Sequence, residues 1–448
     1  MSKTIFNILR GTHGMGVTIE IRKDTDRVIL DFGAPFDPHN TIYDNTVRHR
    51  HKNKVKDAIL LKQALSVDGL YNKEDIKGLP LVPYEESKFN TAVFISHLHL
   101  DHMSETDKIA KEIPVYIHED GAKLNQILRE NGLSPTEREF ETFQYEVPVI
   151  VGKIKVTPYF SDHPCPGSSG FLVETDDLTV YYSGDVRYHG LQATRAWNSI
   201  LKLSRKKVDL LIVDATMTSP SEQYNQLFYN QMPRPSRAVP IDAESEESIY
   251  EDTLKLLTNY QGLGIFNCYP RDVNMMESLN SLAEKAGRMA VWEKEYGDIL
   301  YKMKGIKPHI LSDNDDSDYP TVSVREIKEH PERYFLQNSY YHILNLIDFD
   351  GINGRYFHLF GEPLVSGTKE YQILQNMVKK LEWEFHTYSN LYSFSHAYPD
   401  QLIEMINEIN PKAVIGVHSK HPELIPDHNY RMFFPEEGRD YTFDEIRL

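Results

Sequence analysis

FISHLHLDHMSE, residues 94–105, decides the reading of this chain. Three histidines and an aspartate, His97, His99, Asp101 and His102, fall within six positions directly after the apolar run TAVFIS (91–96). On an extended segment leaving a strand, His97, His99 and Asp101 point the same way at period two, while His102 points elsewhere and can serve a neighbouring position. Imidazoles suit zinc, and a carboxylate adds neutralising charge. A single H-x-H is an ordinary surface loop. H-x-H-x-D-H behind an apolar strand is a metal motif with a stated mechanism.

The rest of the chain is compatible with a globular hydrolase. At 448 residues it exceeds what one hydrophobic core holds, so two domains or one domain with a large insertion are expected. Two cysteines, Cys165 and Cys268, support no disulfide framework and suit a reducing compartment. MSKTIFNILRGTHGMG carries no signal-peptide pattern, and no apolar run is long enough for a membrane span. A cytoplasmic protein with no membrane partner is therefore expected. The net charge of −17 argues against coating nucleic acid non-specifically. It leaves room for a nuclease, because bound metal supplies local positive charge. The basic runs RHRHKNKVK (48–56) and SRKKVD (204–209) read as solvated faces.

Period-two patterns mark VTIEIRKDTDRVILDFG as strand, turn, strand, VPVIVGKIKVTPYF (147–160) as two strands, and GFLVETDDLTVYYSGD (170–185) as a hairpin. KKVDLLIVDAT (206–216) is a strand ending in a carboxylate. VKDAILLKQALS reads as helical, and Ser104 with Asp107 reads as the start of a helix over ETDKIAKEI. From 219 to 248 the chain is polar and proline-punctuated. Helix, strand and helix follow, then the strands RYFLQNS and GRYFHLF and helical spacing over KEYQILQNMVKKLEWEF (369–385). A helix over QLIEMINEIN and a strand over KAVIGVHS close the chain. The parse is an α/β body over 1–220 and 390–448, interrupted by an α/β insertion at 221–389.

Further polar residues stand at expected strand ends: Asp31 in DFG, His163 in YFSDHPCPGSSGF, Asp185 in YYSGDVRYHG, Asp214 in LIVDATMTS, His396 in SFSHAYPD and His418 in VIGVHSKH. Each alone is an ordinary turn residue. Together they line the carboxyl edge of successive strands, where α/β sheets build sites. The order Asp31, HLHLDH, His163, Asp185, Asp214, a long insertion, His396 and His418 resembles the metallo-β-lactamase-fold hydrolases, and within them the β-CASP nucleases such as the ribonuclease J family. YPRDVNMMESLNSLAEKAGR resembles the corresponding insert helix.

The resemblance implies an αββα sandwich, 1–220 completed by 390–448, with a β-CASP-like α/β domain inserted at 221–389. It implies two Zn²⁺ per chain, with Mn²⁺ as the alternative. His97, His99 and His163 would hold one metal, Asp101, His102 and His418 the other, and Asp185 would bridge them. Asp31 would orient a ligand from behind. Asp101, His396 and Asp214 are the candidate catalytic residues, His396 standing beside the scissile phosphate with Asp214 orienting it. RNA is the implied substrate, and single-stranded DNA a second candidate.

The chain departs from the family in particular places. FSHA, Phe394-Ser395-His396-Ala397, stands where ribonuclease J-like proteins have Ser-Gly-His-Ala around the late histidine, and the bulky Phe394, with Ser393 and Ser395 as stand-ins, bears on recognition of a 5′-phosphate end. Asp214-Ala215-Thr216 replaces the frequent Glu-Ser-Thr. About thirty residues follow His418, so the additional C-terminal domain of ribonuclease J is not expected. A di-metal hydrolase of a smaller phosphodiester, ester or lactone stays open beside the ribonuclease, and a non-catalytic binding module beside both. His13, His118, His189, His421 and Cys165 read more readily as turn or packing residues.

Overall fold

The computed structural model describes residues 2–38, 41–43, 47–48, 50–218, 246–314, 318–359, 361–387, 395–425 and 430–447. The expected α/β class and αββα sandwich are what the chain forms. One seven-stranded sheet runs in the order Tyr441–Thr442, Ile5–Arg10, Thr18–Lys23, Asp26–Leu30, Asn90–Phe94, Val115–His118, Glu141–Phe143. A second runs Arg431–Met432, Ala413–Val417, Leu210–Asp214, Thr179–Tyr182, Ser169–Glu174, Ile154–Phe160, Val149–Val151.

The strand period assigns each face. Val28 and Leu30 enter the core between the two sheets, while Ile29 between them faces the helices outside. The neighbouring parallel strand repeats the split, with Ala92 and Phe94 inward and Val93 and Ile95 outward. In the second sheet Leu210 and Ile212 face the shared core, whereas Leu211 and Val213 meet helices Ala193–Leu203 and Pro399–Ile409. Strands apolar on both faces are what a sheet covered on both sides requires.

A third, all-parallel sheet has the order Thr321–Val322, His309–Leu311, Met289–Trp292, Tyr334–Gln337, Leu263–Asn267, Gly354–His358, Glu384–Thr387. All its strands lie within the stretch read as an insertion. Its helices Val273–Lys285 and Lys294–Lys304 join the core cluster that also holds the outer helix Glu119–Glu130 of the sandwich.

Two local expectations fail. No α-helix covers ETDKIAKEI. Thr106–Lys108 is a single 3₁₀ turn, the Ser104 hydroxyl accepts from the Ala34 N–H at 3.1 Å instead of capping a helix, and the Ala110 N–H is taken by the Leu70 carbonyl at 2.8 Å. The short helix falls earlier, at Leu100–Met103, so Asp101 leaves the extended segment after His99 and the period-two argument stops there. The helical run at 369–385 ends at Lys380. Its last residues turn, with Glu382 at φ 59°, into the edge strand Glu384–Thr387.

Candidate metal centre

Six of the expected site residues stand at or just beyond the carboxyl end of a strand. Asp31 follows Asp26–Leu30, His97 follows Asn90–Phe94, and His163 follows Ile154–Phe160. Asp185 follows Thr179–Tyr182, Asp214 ends Leu210–Asp214, and His418 follows Ala413–Val417. Asp31 and His418 hold left-handed backbone, φ 59° and 62°, which non-glycine residues adopt only when their surroundings enforce it. Hydrogen bonds from Asp31 N to Phe94 O and from His418 N to Gly11 O, both 2.8 Å, provide that hold.

Two donor sets share Asp185. In the first, His97, His99, His163 and Asp185 bring one ligand atom each within 4.8 Å of the others. His99 Nδ1 is 3.0 Å from His163 Nε2, and Asp185 Oδ2 is 3.6 Å from His97 Nε2 and 4.0 Å from His163 Nε2. In the second, His418 Nε2 is 2.9 Å from Asp101 Oδ2 and 3.3 Å from His102 Nε2, which is 3.3 Å from the same Asp185 oxygen. Donors at ~2.0–2.2 Å from a tetrahedral ion stand about 3.3–3.6 Å apart, so both sets have the dimensions of a metal site.

The hydrogen bonds behind the histidines test the fit further. Asp31, fully buried, accepts from Ser96 N (2.6 Å), Ser96 Oγ (2.8 Å) and Tyr182 OH (2.7 Å), which leaves it an acceptor for His102 Nδ1–H at 2.8 Å. Ser96 Oγ, its proton spent on Asp31, accepts His97 Nδ1–H at 2.9 Å. The Ser395 carbonyl accepts His163 Nδ1–H at 2.8 Å. Thr216 Oγ1 donates to Asp214 Oδ1 and accepts His418 Nδ1–H, both at 2.6 Å. The Asp272 carboxylate accepts His99 Nε2–H at 3.1 Å. Every tautomer is thereby set so that the remaining ring nitrogen presents a lone pair to the cluster. His97 Nε2 is buried with no hydrogen-bond partner among the described residues, as a ligand atom would be.

The electrostatics divide the two sets. Burial keeps His97 and His163 neutral, well below the usual histidine range, reinforced by His102 beside the first and His99 beside the second. Against burial, Asp185 and Asp101 raise His418 to about 9 and, with Asp31, raise His102 well above its ordinary value. Asp101 drops to about 2 and Asp185 falls well below the usual carboxylate value, both overcoming burial through His102 and His418. A divalent cation would take over the counter-charge those protons supply.

His396 lies beside both sets. Its Nδ1 is 2.7 Å from Asp214 Oδ2 and 4.0 Å from Asp185 Oδ2, and it lines a cavity of about 170 Å³. Met15 and Phe36 wall that cavity from the sandwich, and Tyr269, Asp272, Glu362 and Leu364 from the third-sheet unit. A second cavity of about 470 Å³ shares Leu100 and Glu362 with it. Phe394 and Ser393 lie outside the described residues, as does 219–245.

Ser96, Tyr182 and Asp272 were not singled out from the sequence, and Thr216 was named only within Asp214-Ala215-Thr216. Ser96 adjoins His97, but nothing in YPRD marks Asp272. The residues set aside have local partners. His118 Nδ1 accepts the Asp120 N–H at 3.1 Å, His189 pairs with Gln401, His421 pairs with Glu423, Cys165 is a buried thiol, and His13 is exposed. Neither basic run lines the cavity of the metal centre.

Gly33 makes the close approach between Asp31 and the short helix possible. A Cβ there would stand 2.1 Å from the carbonyl carbon of Asp101 and 2.4 Å from His102 N. Backbone cannot yield as a side chain does, so Gly33→Ala is expected to displace Asp101 and His102 together. Metal titration should show a weakened affinity; an unchanged affinity would show that the turn relaxes elsewhere.

Residues 77–247 match the family model described as Beta-lactamase superfamily domain. Ribonuclease J of Mycoplasma genitalium is 21% identical over 363 residues, 73% of this chain and 57% of that protein. Ribonuclease J of Mycoplasma pneumoniae is 21% identical over 369 residues, 74% and 58%. Ribonuclease J of Pyrococcus abyssi is 23% identical over 261 residues, 56% and 53%. The chain thus spans less than two thirds of the length of these relatives. A crystal structure of a protein of unknown function from Enterococcus faecalis V583 superposes with a TM-score of 0.80 at 22% identity, covering 98% of this chain and all of that one. Among the described residues no helix is long and apolar enough to cross a membrane. Residues 77–247 thus match the β-lactamase superfamily domain, the fold agrees with it, and the chain is similar to the ribonuclease J proteins.

Proposed function

We propose that this protein is a di-metal phosphodiesterase that cleaves RNA, with zinc as the resident ion and manganese as its alternative. The carrying observation is the convergence of five histidine lone pairs and two carboxylates, Asp101 and Asp185, on two adjacent positions. His97, His99 and His163 would hold one ion, Asp101, His102 and His418 the other, with Asp185 between. When bound, such a pair supplies a hydroxide near neutral pH and charge for the phosphoryl oxygens.

The chain's own residues supply the rest. Asp214 Oδ1 accepts Thr216 N–H (3.0 Å) and O–H, and its Oδ2 accepts Val186 N–H (3.3 Å), so its carboxylate is fixed. It holds His396 Nδ1–H and stabilises the imidazolium, leaving Nε2–H to protonate the departing oxygen. Asp101 Oδ2 faces His418 Nε2 at 2.9 Å across the second set, where both would meet the ion.

Two features support a polymer over a small ester. The cavity beside the metals opens between the sandwich and the third-sheet unit, which acts in this reading as the β-CASP-like wall of a cleft. The larger cavity continues it past Leu100 and Glu362. Beside its carboxylates and histidines the cavity presents Met15, Phe36, Tyr269 and Leu364, apolar and aromatic surface that suits a nucleobase. The ribonuclease J relatives point the same way. We place the protein in the cytoplasm on the same grounds.

Two metals per chain are expected by elemental analysis after mild purification. A value near zero, unrecovered by added zinc or manganese, would remove the metal reading. A panel of 5′-monophosphate RNA, 5′-triphosphate RNA, single-stranded DNA, a bis-aryl phosphodiester and a lactone tests the substrate. RNA should be the best substrate, and faster turnover of the lactone or the small diester would sink the polymer assignment.

A further inference from the structure

Four of the five histidines are held by the sandwich itself, through Ser96, Asp31, Thr216 and the Ser395 carbonyl. His99 is the exception. Its Nε2 meets Asp272, which belongs to the third-sheet unit, in the loop between strand Leu263–Asn267 and helix Val273–Lys285. Asp272 is 6% exposed, and His99, at 18% side-chain exposure, is the most open of the five.

The loop is built to hold that carboxylate in place. Asp272 N–H bonds the Tyr269 carbonyl at 3.0 Å, and the Tyr269 ring meets the His99 ring edge-on at 5.5 Å. Arg271 lies over the Tyr269 ring at 5.3 Å and donates to the Leu133 carbonyl of the sandwich at 3.0 Å. The Asp272 backbone starts the helix, with Met276 N–H bonding its carbonyl at 3.2 Å, but its side chain caps no helical N–H. The carboxylate is left to the histidine.

From this geometry we infer that Asp272 is a positioning residue for His99, so that one of the two metals is completed from the third-sheet unit. The inference rests on the metal reading above. A carboxylate behind a ligand histidine fixes ring orientation and tautomer and raises its basicity. Here that carboxylate stands on the opposite wall of the cleft. A displacement of the third-sheet unit would stretch the His99 contact directly, whereas the hydrogen bonds behind the other four histidines do not involve that unit.

The test uses the full chain as wild type, Asp272→Ala, Asp272→Asn and His99→Ala. Zn²⁺ affinities are measured by competition with a chromophoric chelator, and the visible spectrum is recorded with Co²⁺. Asp272→Ala should weaken one metal by about 10–100-fold and shift the Co²⁺ spectrum, with the second metal unchanged. Asp272→Asn should fall between, because its amide oxygen still accepts from His99 Nε2–H and asparagine still begins a helix well. It separates loss of positioning from loss of fold. His99→Ala identifies the same metal. If His99→Ala weakens a metal and Asp272→Ala leaves both affinities and the spectrum as in wild type, the positioning role is overturned while the metal site stands. If wild type takes up no metal, the site reading fails and this inference with it.

Discussion

His396→Ala is expected to lower RNA cleavage by about 10²–10⁴-fold, the range general acid catalysis supplies, while metal content stays at the wild-type value. The expectation follows from which atoms are occupied. His396 meets Asp214 at 2.7 Å through Nδ1 and stands 4.0 Å from Asp185 through the same atom, so its Nε2 is the nitrogen available to a substrate. His396 falls with Asp185, Asp214 and His418 in a further group of metal-capable side chains, but its Nδ1 is taken by Asp214 and the two expected sets, His97, His99 and His163 and Asp101, His102 and His418, do not need it. Asp214→Asn should cost less, because the amide oxygen can still accept Nδ1–H while the charge that stabilises the imidazolium is gone. Single-turnover rates with metal analysis on the same preparations check both. Equal rates for wild type and His396→Ala would take the residue out of the mechanism. Loss of metal in step with activity would move it into the ligand set.

Arg187→Met is expected to destabilise the fold by roughly 3–5 kcal/mol, the cost of breaking a buried ion pair from one side. Arg187 is 1% exposed, with Nε 3.4 Å from Asp162 Oδ1 and an Nη atom 2.9 Å from Glu246 Oε2. Burial alone would lower its proton affinity, but Glu246 and Asp162 raise it above the ordinary arginine value. Asp162 precedes the proposed ligand His163, Arg187 follows Asp185 by two residues, and Glu246 opens the helix Glu246–Leu257 of the third-sheet unit. One guanidinium therefore ties the loops of two proposed ligands to that unit. The triple replacement Arg187→Met, Asp162→Asn, Glu246→Gln should recover part of the loss, because no uncompensated charge stays buried. Urea unfolding of the three proteins decides it. A shift below about 1 kcal/mol for Arg187→Met would mean that water reaches the carboxylates.

Much of the sandwich is legible one strand at a time, because a side-chain period of two survives wherever a strand has different layers on its two faces. VTIEIRKDTDRVILDFG and GFLVETDDLTVYYSGD read correctly for that reason. ETDKIAKEI does not form its helix, since tertiary partners, Ala34 for the Ser104 hydroxyl and Leu70 for the Ala110 N–H, outbid the local signal. The helical run at 369–385 fails at its end, where Leu381 and Trp383 are buried and the chain turns to join the sheet edge.

By itself, the sequence determined the residue types and the order in which they leave the strands, because metal chemistry restricts donors to a few side chains and strands deliver them to one edge. Only the tertiary structure decided what stands behind each donor. Asp31 with Ser96 and Tyr182, Thr216 with His418, and Asp272 with His99 are separated by 65 to 202 positions in the chain or by an entire sheet. A hydrogen bond between such residues leaves no local pattern. It depends on distances of about 3 Å that exist only after the sheets have packed.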